Sequence, residues 1–127
     1  MDVFTDCFKA VIMALMKHEQ IQYIEFLSNN LPRIKKFYQA SLGWVFTDYG
    51  SEYTAFAGDF VDGGFAIGEP RAGSVLVVIY SENLEDTRNK LIKAGANISK
   101  DIFSFPGGRR FHFVDLDGNE LAVWSDK

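Results

Sequence analysis

The chain has 127 residues, 47% apolar and 24% charged, with three prolines, which excludes a disordered chain and leaves room for one ordinary domain. Its single cysteine, Cys7, excludes an intramolecular disulfide and a cysteine-rich zinc site. A net charge of −4, with lysines and arginines scattered along the chain, argues against nucleic acid, whose phosphates need a clustered basic face.

In the first segment Phe4, Phe8, Val11, Ile12 and Leu15 recur at helical spacing, so residues 1–15 are expected to form a short helical extension in front of a domain spanning 16–127. The apolar stretch from Ala10 to Met16 is too short to span a membrane, and Asp2 and Asp6 stand where a signal peptide carries positive charge. No membrane partner is expected, and cytoplasm is the expected location. From Ile21 to Leu27 the residues are β-branched and aromatic, the mark of a strand. Asn30 then caps a helix whose stripe is Leu31, Ile34, Phe37, Tyr38 and Leu42, and Gly43 ends it. Three short strands follow, Trp44 to Tyr49, Tyr53 to Ala57 and Gly64 to Gly68, separated by turn residues.

The order then repeats. Val75 to Tyr80 reads as a strand, and Asn83 caps a helix carrying Leu84, Thr87, Leu91 and Ala94 and stopped by Gly95. Strands are expected over Asn97 to Phe103, Arg109 to Asp115 and Glu120 to Ser125. Asn-Leu opens both helices and glycine closes both, so the chain divides into two βαβββ modules, about 21–70 and 74–126. The expected fold is α+β, a curved eight-stranded mixed sheet with helices outside and a concave cavity, and its open edges suit a homodimer.

The last hairpin sets a register. Asp115-Leu116-Asp117-Gly118-Asn119 reads as a three-residue loop with Gly118 left-handed, which pairs Asp115 with Asn119 and sets His112 opposite Ala122 and Arg110 opposite Trp124. A two-residue Asp-Gly turn would instead send His112 to the other face.

Several features together resemble the vicinal oxygen chelate superfamily of glyoxalases, bleomycin-resistance proteins and extradiol dioxygenases. They are Phe37-Tyr38 with Leu42-Gly43-Trp44, Asn83-Leu84, Ala94-Gly95-Ala96, Pro106-Gly107-Gly108 and Asp115 to Asn119, and the resemblance covers Ile21 to Ser125. In enzymes of that superfamily it implies a divalent metal held by His, Gln or Glu on the first and last strands of each module. The corresponding positions here are Tyr23, then Phe65 or Ile67, then Leu76 and Ala122, a set unable to hold a hard or borderline cation. No metal and no other cofactor are expected.

Chemistry then falls to the remaining inward side chains. The candidate ligand-binding set is Tyr23, Glu25, Phe65, Ile67, Leu76, Arg110, His112, Ala122 and Trp124, with Trp44 as a further wall. His112 is the candidate acid or base, or else a histidine completing a mixed wall, and Arg110 could receive an anionic group. Three classes of function stay open. The first is a metal-free small-molecule binding protein of the bleomycin-resistance type, holding a flat or partly apolar ligand and conferring antibiotic resistance. The second is a glyoxalase-like lyase or isomerase, with an altered metal site at His112 and Glu25 or with acid–base chemistry at His112. The third is a scaffold that contacts other proteins through its N-terminal helix.

Overall fold

The computed structural model describes residues 18–19, 21–70, 73 and 75–127. The expected extension over residues 1–15 lies outside them.

The first module runs β1 (Tyr23–Ser28), α1 (Leu31–Leu42), β2 (Phe46–Asp48), β3 (Tyr53–Phe56) and β4 (Asp62–Ile67). The second runs β5 (Val77–Tyr80), α2 (Leu84–Ala94), β6 (Asn97–Phe105), β7 (Gly108–Val114) and β8 (Glu120–Ser125). The helices start and stop by the same local chemistry. The Asn30 side chain accepts from the Arg33 backbone N–H and that of Asn83 from the Asp86 N–H, each satisfying a donor the helix cannot. Ser28 and Ser81 hold the caps in turn, their hydroxyls accepting from the N–H of Asn30 and Asn83. Gly43 and Gly95 end the helices in the left-handed conformation at φ 72° and 109°. The duplication therefore extends to a Ser-x-Asn-Leu entry in both modules.

The eight strands lie in two four-stranded mixed sheets of identical order, β1-β4-β3-β2 and β5-β8-β7-β6. The first strand of each module pairs parallel with the last, and the remaining pairs are antiparallel. Both sheets send one face into a common core around the two helices: Leu31, Ile34, Phe37 and Tyr38 of α1 and Leu84 and Leu91 of α2 meet Phe65, Phe111, Phe113, Leu121 and Val123. Each such side chain is worth roughly 1.5–3 kcal/mol of burial, so this layer holds the modules together.

Polar contacts reinforce the junction at the β7–β8 turn. The Tyr38 hydroxyl donates to Asp115 Oδ2 at 2.8 Å, and Asp115 also accepts from the backbone N–H of Asp117 and Asn119 and from the Asn119 amide. Asn119 donates to the carbonyl of Leu27 on β1, and Arg33 of α1 donates to Asp117 at 2.6 Å. The hairpin that carries His112 and Trp124 is thus anchored to the first module.

Candidate functional site

Because Phe111, Phe113, Leu121 and Val123 all enter the core, alternation puts Arg110, His112, Ala122 and Trp124 on the opposite, helix-free face. The hairpin has the three-residue loop: Asp115 and Asn119 pair, Gly118 sits at φ 99°, and His112 lies opposite Ala122 with Arg110 opposite Trp124. β5 adds Val78 beside Ala122 and Tyr80 beside Trp124. β6 adds Lys100 opposite His112 and Phe103 opposite Arg110, after register shifts between Ile98 and Phe103.

These side chains make one cluster. The His112 ring lies 6.0 Å from that of Phe103, and its Nδ1 is 3.1 Å from Glu120 Oε1, an orientation set by the carboxylate. Its Nε2 is buried without a partner among the described residues, as is Nε of Arg110. The Arg110 guanidinium lies over Phe103 and Phe105, at 5.2 and 5.8 Å from their centroids. Trp124 stands edge-on to Tyr80 at 5.3 Å and 6.4 Å from Phe105. Between them opens a cavity of about 390 Å³ lined by Val78, Phe105, Gly107, Arg110 and Trp124. Ala122, fully buried, and His112 are not among the residues that line it.

Tyr23 and Glu25 share the helix-free face of the other sheet. Tyr23 exchanges a hydrogen bond with Tyr53, above Gly64, where any Cβ would collide with both hydroxyls. Partial burial, then hydrogen bonds to Tyr23 and Glu25, push the Tyr53 phenol far above its ordinary value. No hydrogen bond, ion pair or ring contact among the described residues joins this group to the His112 cluster, so the expected single set of side chains falls into two groups on two sheets. Tyr53, Lys100, Phe103, Phe105, Tyr80 and Glu120 are additions to the expected residues. The Phe103-Ser104-Phe105 alternation was a usable signal, hidden by the irregular pairing upstream of it.

Four expected positions need correction. Phe65 is fully buried on the helix side, stacked on Phe26 at 5.1 Å and close to Tyr38, because the parallel register pairs it with Phe26. Ile67 has the same parity but stands 49% exposed at the end of β4. Leu76 precedes β5 and is 37% exposed, outside the cavity. Trp44 stacks on Tyr38 at 4.4 Å within the core.

A larger depression of about 760 Å³ runs between the end of α1 and the start of α2, lined among others by Trp44, Asn83, Asp86 and Lys90. Asp86 and Lys90 pair with each other and Asn83 caps α2, so those groups are already engaged. The smaller cavity, lined by two aromatic rings and by Arg110, whose Nε has no partner among the described residues, is the better chemical site.

The superfamily's metal does not fit this chain. Its ligand positions carry a hydrogen-bonded tyrosine and apolar side chains, one of them in the core. The His112–Glu120 pair supplies two donors only, and no group of three His, Cys, Asp or Glu side chains converges among the described residues. Nor is any helix among those residues long and apolar enough to cross a membrane.

No protein-family model matches the chain, and no curated protein matches it. Solved structures do. A glyoxalase/bleomycin resistance protein/dioxygenase family enzyme from Burkholderia phytofirmans PsJN superposes with TM-score 0.75 at 13% identity, over 84% of this chain and 98% of that one. A glyoxalase-related enzyme from Fulvimarina pelagi gives 0.75 at 16% identity, over 84% and 88%. TnmS3, an antibiotic binding protein from Streptomyces sp. CB03234, gives 0.66 at 16% identity, over 87% and 98%. The chain has the α+β, two-module fold of the glyoxalase/bleomycin resistance protein/dioxygenase superfamily.

Proposed function

We propose that the chain is a metal-free small-molecule binding protein, located in the cytoplasm and acting as a homodimer, that holds a flat, partly apolar ligand on the helix-free face of its second sheet. The observation that carries this reading is the cavity in which Trp124 and Phe105 stand beside an arginine that no acceptor among the described residues engages. Rings supply area and stacking at low entropic cost, and a few polar groups among them set orientation. The likeness to TnmS3 supports the same class. The dimer is supported by the outer strands β1 and β5, whose free edges carry exposed apolar residues, among them Tyr23, Val78 and Tyr80.

One observation favours a second reading, acid–base catalysis: Glu120 orients His112 as a base would require. The cover over Nε2 weighs against it.

A thermal-shift screen of planar compounds, followed by calorimetry of the hit on the parent and Trp124→Ala, tests the proposal. Losing the ring is expected to weaken binding by at least about tenfold, corresponding to ~1.4 kcal/mol. Unchanged affinity in a folded Trp124→Ala variant would refute it. Light scattering at micromolar concentration should give a dimer, and a monomer would remove that part of the proposal.

A further inference from the structure

Three arginines of this chain are committed to carboxylates. Arg33 pairs with Asp117, Arg88 donates to Asp101 through Nε and Nη2, and Arg109 pairs with Glu85. Arg110 stands apart from these: among the described residues it makes no ion pair, and its buried Nε has no acceptor. Two rings hold it in place, Phe103 and Phe105. Contact with rings covers the faces of a guanidinium and leaves its edge. Since Nε is buried, the pair open to a ligand is the fork of Nη1 and Nη2, which make no hydrogen bond with any described residue and can take a carboxylate through two parallel hydrogen bonds.

The surroundings specify more than charge. Trp124 is the direct cross-strand partner of Arg110, which on a shared face places their Cβ atoms about 4.5–5.5 Å apart. Both line the same cavity. A second cation, Lys100, lies over the Phe103 ring at 4.4 Å. The nearby carboxylates face elsewhere, Glu120 toward His112 Nδ1 and Asp126 toward the Tyr80 hydroxyl. Because the whole chain carries −4, an anion would be drawn here by local cations and not by the long-range field. An unpaired guanidinium partly withdrawn from water is costly, and an arriving anion offsets that cost.

Resting on the reading of this face as a ligand groove, we infer that its ligand is an aromatic acid: a planar ring stacked on Trp124 bearing a carboxylate that the Arg110 fork receives. Because the two side chains are cross-strand neighbours on one cavity, the carboxylate is expected directly on the ring or one atom from it. Neutral planar compounds should bind, but less tightly.

The test compares naphthalene-2-carboxylate with naphthalene-2-carboxamide, which has the same ring and no charge, by calorimetry and by the indole N–H signal of Trp124 in NMR. The carboxylate should bind roughly 10- to 100-fold tighter, as expected for charge-assisted bonds worth about 1.5–3 kcal/mol. Arg110→Gln should abolish that gap, and Arg110→Lys should restore part of it. Equal affinity for the two compounds, with both binding at Trp124, overturns the inference and leaves the groove reading standing. A gap that survives Arg110→Gln overturns the assignment of the fork. If neither compound perturbs the Trp124 signal at millimolar concentration, the groove reading falls and the inference with it.

Discussion

Replacing Tyr38 with Phe tests how the binding face is held in place. The substitution keeps the stack on Trp44 at 4.4 Å and the place of the ring in the core, and removes only the hydroxyl that donates to Asp115. Asp115 is 5% exposed and retains two backbone donors and the Asn119 amide, so it is weakened and not stranded. A hydrogen bond to a charged group contributes about 1.5–3 kcal/mol. With three donors remaining, the lower half of that range applies, about 1.5–2 kcal/mol, or roughly 5–8 °C in Tm for a chain of this length. The loss should appear in urea unfolding as a lower midpoint at unchanged slope. Burial raises the Asp115 pKa first of all, whereas the Tyr38 bond lowers it by favouring the ionised carboxyl. The deficit of the variant is therefore full at neutral pH and narrows as pH falls through the Asp115 pKa. An Asp115→Asn background should shrink it as well. A midpoint equal to the parent's at pH 7, or a deficit independent of pH, would refute the view that this bond braces the hairpin.

Gly108 opens β7 at φ 151°, where a Cβ would lie 2.0 Å from the Ser125 carbonyl oxygen, so Gly108→Ala should cost about 2 kcal/mol or more and lower the thermal midpoint accordingly. Of the five tyrosines, three have phenols pushed upward: Tyr80 by its bond to Asp126, and, further, Tyr38 by burial beside Asp115 and Tyr53 by burial and its bonds to Tyr23 and Glu25. A raised folded-state pKa stabilises the fold fully below the ordinary value of about 10 and loses that contribution as pH rises through the raised value. Ultraviolet titration should then show two tyrosines silent until alkaline unfolding releases them, and five ordinary transitions in the native state would contradict this. After incubation with zinc or nickel and dialysis, elemental analysis should find no equimolar metal. An equimolar metal lost in His112→Ala would instead establish an altered metal site.

The sequence alone determined whatever rests on short-range chemistry. Asn30 and Asn83 as caps, Gly43 and Gly95 as stops and the resulting duplication were legible because each signal acts over one helical turn. The register of His112 and Trp124 was legible for the same reason, since one left-handed glycine and the Asp115–Asn119 pair close the loop locally. Tertiary structure decided which face and which neighbour each remaining side chain has. Gly63-Gly64 carries no side chain to mark the inner face of β4, so only pairing with β1 assigned Phe65 to the core. The register shifts in β6 break the count from Gly95, so only pairing with β7 brought Lys100 and Phe103 to the helix-free face. The division of Tyr23 and Glu25 from His112 and Trp124 follows from the grouping of strands into two sheets, which depends on contacts far apart in the chain that no local pattern encodes.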